Sequence, residues 1–315
     1  MRCLALALVP FAVAGCLPDD TRPPPAEVRI TVAASSLTTG DIPSSLTADG
    51  FTISIERFVV NLGDAELGPD DGTSCQVYSN PGYTRLFDFK RLAAPSTLGV
   101  AYATGECSFG FRIRSPDETS LVDVGANASD DDFMRTPGSD PDSTDAGISV
   151  YVEGEAVRDD RAFHFAWPFR KRIRFTGCIE HPGAADDLGV LDLTSGQRTT
   201  LDLEIHAEKL FQGDPSTPLH FEPFTLADAD GDGEITFDEL WNVGVADFAT
   251  SGLYVSPKAG PGTLEPWPCF TQDGNPIVIA TLGDFAYCML LPNVIGYEGA
   301  GSCSAVTGPG RNPGD

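Results

Sequence analysis

Apolar and polar residues alternate in short stretches along much of the chain. Val28 to Val32 alternates, as do Phe51 to Ile55 and Leu201 to Ile205. A period of two sends successive side chains to opposite faces of a sheet, so each stretch predicts a half-buried strand. The second stretch slips out of phase at Phe58, Val59 and Val60, as the extra residue of a β-bulge would cause. Tyr83 to Phe87, Leu98 to Tyr102, Cys107 to Ile113, Ile148 to Val157, Ala162 to Trp167 and Ile173 to Thr176 add further runs, divided by turn residues. Many short strands at this spacing, with no βαβ rhythm, predict a mainly β fold built as a β-sandwich. The 33 Gly and 25 Pro residues fit many turns and few long helices.

One stretch departs from this rhythm. Asp228, Asp230 and Asp232 occupy alternate positions, followed by Gly233, Ile235, Thr236 and Glu239. This resembles the EF-hand calcium loop at every defining position. The resemblance implies side-chain oxygens from Asp228, Asp230 and Asp232, the backbone carbonyl of Glu234, Thr236 acting directly or through water, and both oxygens of Glu239. Ca²⁺ takes six to eight such oxygens, whereas Mg²⁺ fits a bidentate Glu poorly. Gly233 supplies the sharp turn, and Ile235 should point into apolar surroundings. Pro218 and Pro223 leave room for only a short entering helix near Pro223 to Ala227. Thr236 to Phe248 reads as the exit helix, with Phe237, Leu240, Trp241, Val245 and Phe248 on one face. No second intact loop accompanies it. EF-hands acting as sensors usually come in pairs, so a lone loop reads as a structural clamp, with Phe221, Phe224, Phe237 and Trp241 packing it against the sandwich.

The N-terminus changes the cellular picture. Leu4 to Val13 is apolar, and Val13 to Cys16 resembles the lipobox of bacterial lipoproteins, in which Cys16 is lipidated. The run is too short to span a bilayer. The expectation is a signal peptide over residues 1–15, a Pro-rich tether over 16–27 and a membrane partner reached through the lipid on Cys16. Leu17 in place of Asp tilts the reading toward the outer membrane or cell surface. The net charge is −26; without Arg2 the mature chain carries 19 basic against 46 acidic residues. Such a surface excludes binding to a nucleic-acid backbone and suits divalent cations.

Cys75, Cys107, Cys178, Cys269, Cys288 and Cys303 remain beyond the anchor, and an even number in an exported chain predicts disulfides. Cys75 with Cys107 and Cys288 with Cys303 are the expected pairs. The full division is then a sandwich over 28–219, the EF-hand over 220–250 and a disulfide-stapled C-terminal segment over 251–315. Phe87, Asp88 and Phe89, following an early strand, resemble a segment of β-sandwich domains in other exported bacterial lipoproteins, distantly the copper-associated MbnP group.

Other chemistry is thin. Ser129 to Gly147 carries Asp130, Asp131, Asp132, Asp140, Asp142 and Asp145 but lacks the EF-loop glycine and closing Glu, so it reads as a solvated loop. His164, His181, His206 and His220 form neither HExxH nor HxH. His206, Glu208 and His220 could make a transition-metal site, although a hydrogen-bonded role fits a lone His better. Trp167, Trp241 and Trp267 read as core. The basic run Pro168 to Arg174 should pair with acidic groups of the chain itself. The sequence thus predicts a non-enzymatic, calcium-binding envelope lipoprotein with an envelope protein or glycan as partner. Two alternatives are an envelope hydrolase using carboxylates and a copper or other transition-metal binder.

Overall fold

A computed structural model of the chain describes residues 23–69, 74–137, 147–179, 189–213, 217–253, 279–299 and 301–308. Their strands are β1 (Ala26–Ala34), β2 (Asp41–Ile42), β3 (Thr52–Gly68), β4 (Cys75–Ser79), β5 (Thr84–Asp88), β6 (Ser96–Ile113), β7 (Leu121–Val122) and β8 (Val150–Arg158). β9 (Arg161–Phe169), β10 (Arg172–Ile179), β11 (Val190–Leu193), β12 (Arg198–Ile205), β13 (Glu234–Thr236), β14 (Ile295–Tyr297) and β15 (Ser302–Gly308) follow. The fold is mainly β, as the alternation predicts. The strands join in one large curled sheet, with the central order β13-β9-β8-β3-β6-β1-β12-β14. The sandwich is that sheet folded over its own apolar face.

Two long strands make the curl. β6 pairs with β1 through Ser96 to Ala103 and with β3 and β10 through its last residues. The sequence shows two strands here because Thr104, Gly105 and Glu106 look like a turn. The backbone instead runs on, with Gly105 at φ +95°; a Cβ there would lie 1.8 Å from the Ser74 carbonyl oxygen. β3 carries the expected bulge, with its register to β8 shifting between Ile55 and Arg57. Beyond it Phe58 to Leu62 is buried on both faces, which explains why the alternation fails there. Phe58 and Val60 enter the main core, while Val59 joins Leu86, Met134, Ile148 and Tyr151 in a small second cluster.

Helices cover what the sheet leaves open. α1 (Ser36–Thr39) starts at Ser35, whose hydroxyl accepts from Thr38 N–H. α2 (Ala128–Met134) starts at a capping box between Asn127 and Asp130 and lays Met134 on the second cluster. The expected solvated loop is therefore partly helix, and Asp130 is only 5 % exposed because Arg57 pairs with it at 2.6 Å. Asp140, Asp142 and Asp145 lie outside the described residues.

The C-terminal segment is woven into the sheet. β14 pairs with β12, and β15 pairs with β10. Cys75 pairs with Cys107 as expected, whereas Cys303 bonds Cys178 and not Cys288. The β10–β15 ladder dictates that choice by bringing the two strands side by side across 125 residues of sequence. Cys288 is disulfide-bonded as well. Cys16, Cys269, Trp267 and His181 fall outside the described residues, and among those residues no helix is long and apolar enough to cross a membrane.

Candidate metal centre

The acidic loop hangs on the edge of the sheet. A short 3₁₀ helix, Glu222–Ala227, leads into it with Pro223 in its first turn. That position suits Pro, whose missing N–H would have no helical partner there. Asp49 reaches across from the other side of the chain: its Oδ2 accepts from the N–H groups of Phe221 and Glu222 at 2.6 Å each. Arg158 and Arg161 both pair with Glu222. The entering turn is thus pinned to the sandwich at its N-terminal end.

The second half of the loop is pinned too. Glu234, Ile235 and Thr236 pair in parallel with His164, Phe165 and Ala166 of β9. His164 N–H donates to the Gly233 carbonyl at 2.8 Å, and the Trp167 indole donates to the Ile235 carbonyl at 2.9 Å. Ile235 is 1 % exposed. Beneath it Trp167, Phe165, Phe211, Phe221 and Phe224 form a continuous set of rings, with centroids 4.9 Å apart for Trp167 and Phe224. Burying rings of this size stabilises by about 1.5–3 kcal/mol each. The second half of the loop therefore rests on β9 and on this set of rings.

Between the two pinned ends the carboxylates are brought together. Asp228, Asp230 and Asp232 each offer an oxygen within 4.8 Å of the others. Gly231 and Gly233 take φ +75° and +83°, which an L side chain rarely adopts, and so fold the chain back around this hollow. Gly233 N–H donates to Asp228 Oδ1 at 3.4 Å and Glu234 N–H to Asp232 Oδ1 at 2.8 Å. Three like charges this close repel unless a cation sits among them.

Glu239 and Thr236 are differently engaged. Glu239 Oε2 accepts from the backbone N–H and hydroxyl of Thr236, at 2.7 and 2.8 Å, in a capping box that starts α3 (Phe237–Leu240). Its carboxylate does not converge on the three aspartates. The exit helix is also broken. α3 ends at Leu240, and α4 (Val245–Phe248) follows after Gly244, which bridges to Thr281. Gly244 is where the chain leaves helical geometry, at φ −72° and ψ 150°. α5 (Leu282–Phe285) packs on this break. Phe237 is buried as expected. Trp241 is 38 % exposed, although Phe237, Gly283 and Tyr287 pack against its ring.

The other candidates resolve clearly. His206 Nδ1 bonds Glu208 Oε1 at 2.9 Å, and Glu208 is 6 % exposed. Burial pushes the Glu208 carboxyl up, but the bond and charge of His206, its own backbone N–H and the Ser35 hydroxyl together carry it below the usual range. Among the described residues neither His206 nor His220 belongs to a group of three converging metal ligands. In the basic run, Arg174 pairs with Glu66 at 2.8 Å and Arg170 donates to the Thr136 carbonyl.

A second converging group does exist among the described residues: Glu56, Glu153 and His164. Sequence reasoning treated His164 as one of four isolated histidines. The available signal was the slip in alternation by Phe58, which the register places at Glu56, between Ile55 and Arg57. Set against protein-family models, curated proteins and solved structures, the chain matches none of them.

Proposed function

We propose that Asp228 to Glu239 binds Ca²⁺ and that the ion fastens the loop to the sandwich as a structural clamp. The observation that carries this is the convergence of Asp228, Asp230 and Asp232 between two pinned ends. A single loop braced by a sheet edge has no paired loop with which to switch. Glu234 would contribute its carbonyl. Thr236 and Glu239 would complete the shell after Glu239 leaves the capping box, so part of the binding energy is spent on that rearrangement. The protein around the clamp is then a non-enzymatic envelope lipoprotein, held outside the cytoplasm by lipid on Cys16, with an envelope protein or glycan as partner. The lipobox-like N-terminus and the acidic exported composition support this reading.

Thermal unfolding in Ca²⁺ and in EGTA tests the clamp. Extracellular EF-type loops bind with Kd of about 10⁻⁴ to 10⁻³ M. At Ca²⁺ 100-fold above Kd, stability should rise by about 2.7 kcal/mol. Asp228→Asn should lose this gain. Glu239→Gln should lose most of it while keeping the stability of the calcium-free protein, since Gln still serves at the third position of a capping box. Equal melting in Ca²⁺ and EGTA would overturn the proposal.

A further inference from the structure

On the outer face of β3, β8 and β9, beside the acidic loop, three side chains from distant parts of the sequence meet. Glu153 lies on β8 and His164 on β9. Glu56 is the additional residue of the β3 bulge, between Ile55 and Arg57. A regular strand would turn Glu56 or Arg57 inward; the bulge turns both outward. The two then part. Arg57 bonds Asp130 and folds over the rings of Tyr151 and Phe133, 5.0 and 5.7 Å from their centroids. Glu56 stays exposed beside Glu153 and His164, and one ligand atom from each of the three lies within 4.8 Å of the others.

His164 and Glu153 each have one atom hydrogen-bonded to a partner outside the trio. His164 Nδ1 lies 2.9 Å from Glu234 Oε2. With that nitrogen donating, the neutral ring carries its lone pair on Nε2, which faces Glu153 Oε1 at 3.8 Å. Glu153 Oε2 accepts from the Tyr151 hydroxyl at 3.0 Å and lies 3.5 Å from Arg57. A ligating imidazole typically gives its second nitrogen to a carboxylate in this manner, and a ligating carboxylate is itself hydrogen-bonded.

We infer that Glu56, Glu153 and His164 form a binding site for a divalent transition metal of the Zn²⁺ class, oriented by Glu234 and Tyr151. An imidazole with two carboxylates suits such an ion better than Ca²⁺, which takes oxygen donors, and the absence of thiolate from the set disfavours Cu⁺. Three protein donors leave a coordination position open to solvent. The site is distinct from the aspartate hollow but shares Glu234 with the loop, and it stands whether or not the loop binds Ca²⁺.

The test is Zn²⁺ titration of the whole protein in excess Ca²⁺, by calorimetry and by competition with a chromogenic chelator. Co²⁺ absorption serves as a second readout of nitrogen ligation. Wild type should take up one equivalent. His164→Ala should weaken binding by about 100-fold or more, and Glu234→Ala, which frees the ring, by about 10–100-fold. Glu56→Gln sits in an exposed bulge and keeps the fold, so its loss of affinity reads the site alone. Asp228→Asn should leave Zn²⁺ binding unchanged. No uptake by wild type at millimolar Zn²⁺, unaltered binding in Glu56→Gln, or loss only in Asp228→Asn would each overturn the proposal.

Discussion

Two histidines of this protein have nearly the same immediate neighbours and opposite surroundings. His206 has Glu208 at Nδ1, 2.9 Å away, and Glu204 at Nε2, 3.4 Å away. His164 has Glu234 at Nδ1, 2.9 Å away, and Glu153 at Nε2, 3.8 Å away. The difference lies in what stands behind the carboxylates. Glu208 is buried, and its second oxygen accepts from Ser35 at 2.8 Å, with the Thr38 hydroxyl 3.2 Å away. Ser35 and Thr38 start α1, and His206 N–H donates to the Val294 carbonyl ahead of β14. That network joins three separate parts of the chain and is internally satisfied. Around His164 the partners stay open to water: the Glu234 side chain is 56 % exposed and that of Glu153 24 %. The same residue types thus serve as a structural junction when their remaining atoms are buried and paired, and as a candidate ligand set when those atoms stay open.

The largest effect that separates the two should come from Glu208→Ala. It strips a partner from Ser35, Thr38 and His206 at once and leaves buried polar groups unpaired. An unsatisfied buried group costs about 1–3 kcal/mol, and more for a charged one. A total loss of about 3 kcal/mol in urea unfolding at neutral pH is expected. A loss below about 1 kcal/mol would place Glu208 with ordinary surface pairs and erase the contrast.

Acid should act on the same junction. The folded Glu208 carboxyl lies below its ordinary value, so the folded state favours its ionised form. Its contribution is fully present above the ordinary glutamate range, near pH 4.3, and is lost as pH falls through the lowered folded value. Measured against wild type, Glu208→Gln should therefore show a smaller fall in stability on acidification below about pH 4, the ordinary carboxylate range. Parallel pH profiles for the two proteins would remove Glu208 as a source of acid sensitivity.

Much of this contrast was hidden in the sequence for a physical reason. His206 and Glu208 are two residues apart, so both entered one candidate metal site, against which a surface or hydrogen-bonded role was the better reading. His164 and Glu234 are 70 positions apart and meet only because β13 docks on β9. Local alternation reports which face a side chain takes, and it located most of the strands and, through the slip at Phe58 to Val60, a bulge in β3. It says nothing about which strands become neighbours. Of the two expected cystines, Cys75 with Cys107 forms across adjacent β4 and β6, whereas Cys303 pairs with Cys178 through a ladder that local pattern does not reveal. The acidic loop was legible because its donors lie at fixed spacing within one short stretch and its turn demands Gly. Its capping-box use of Glu239 was not, since Thr236 and Glu239 satisfy a helix-start pattern and an EF-loop pattern at once.

The smallest effect is the sharpest discriminator. With transition metal chelated, His164→Ala should change urea stability by no more than about 0.5 kcal/mol, the range of ordinary surface substitutions. The ring is partly exposed, and its bond to Glu234 joins two groups that water can solvate separately. Backbone pairing of β13 with β9, through His164 N–H and the Gly233 carbonyl, survives the change. The loop should therefore stay in place. Chemical denaturation in EDTA, beside the same measurement on His206→Ala, makes the comparison direct. His206→Ala should cost several times more, because it leaves Glu208 buried without its principal partner. Equal losses would mean that the outer cluster is a structural junction like the inner one. Near-silence at His164, together with loss of Zn²⁺ uptake, would mark a residue whose orientation serves a ligand and contributes little to folding.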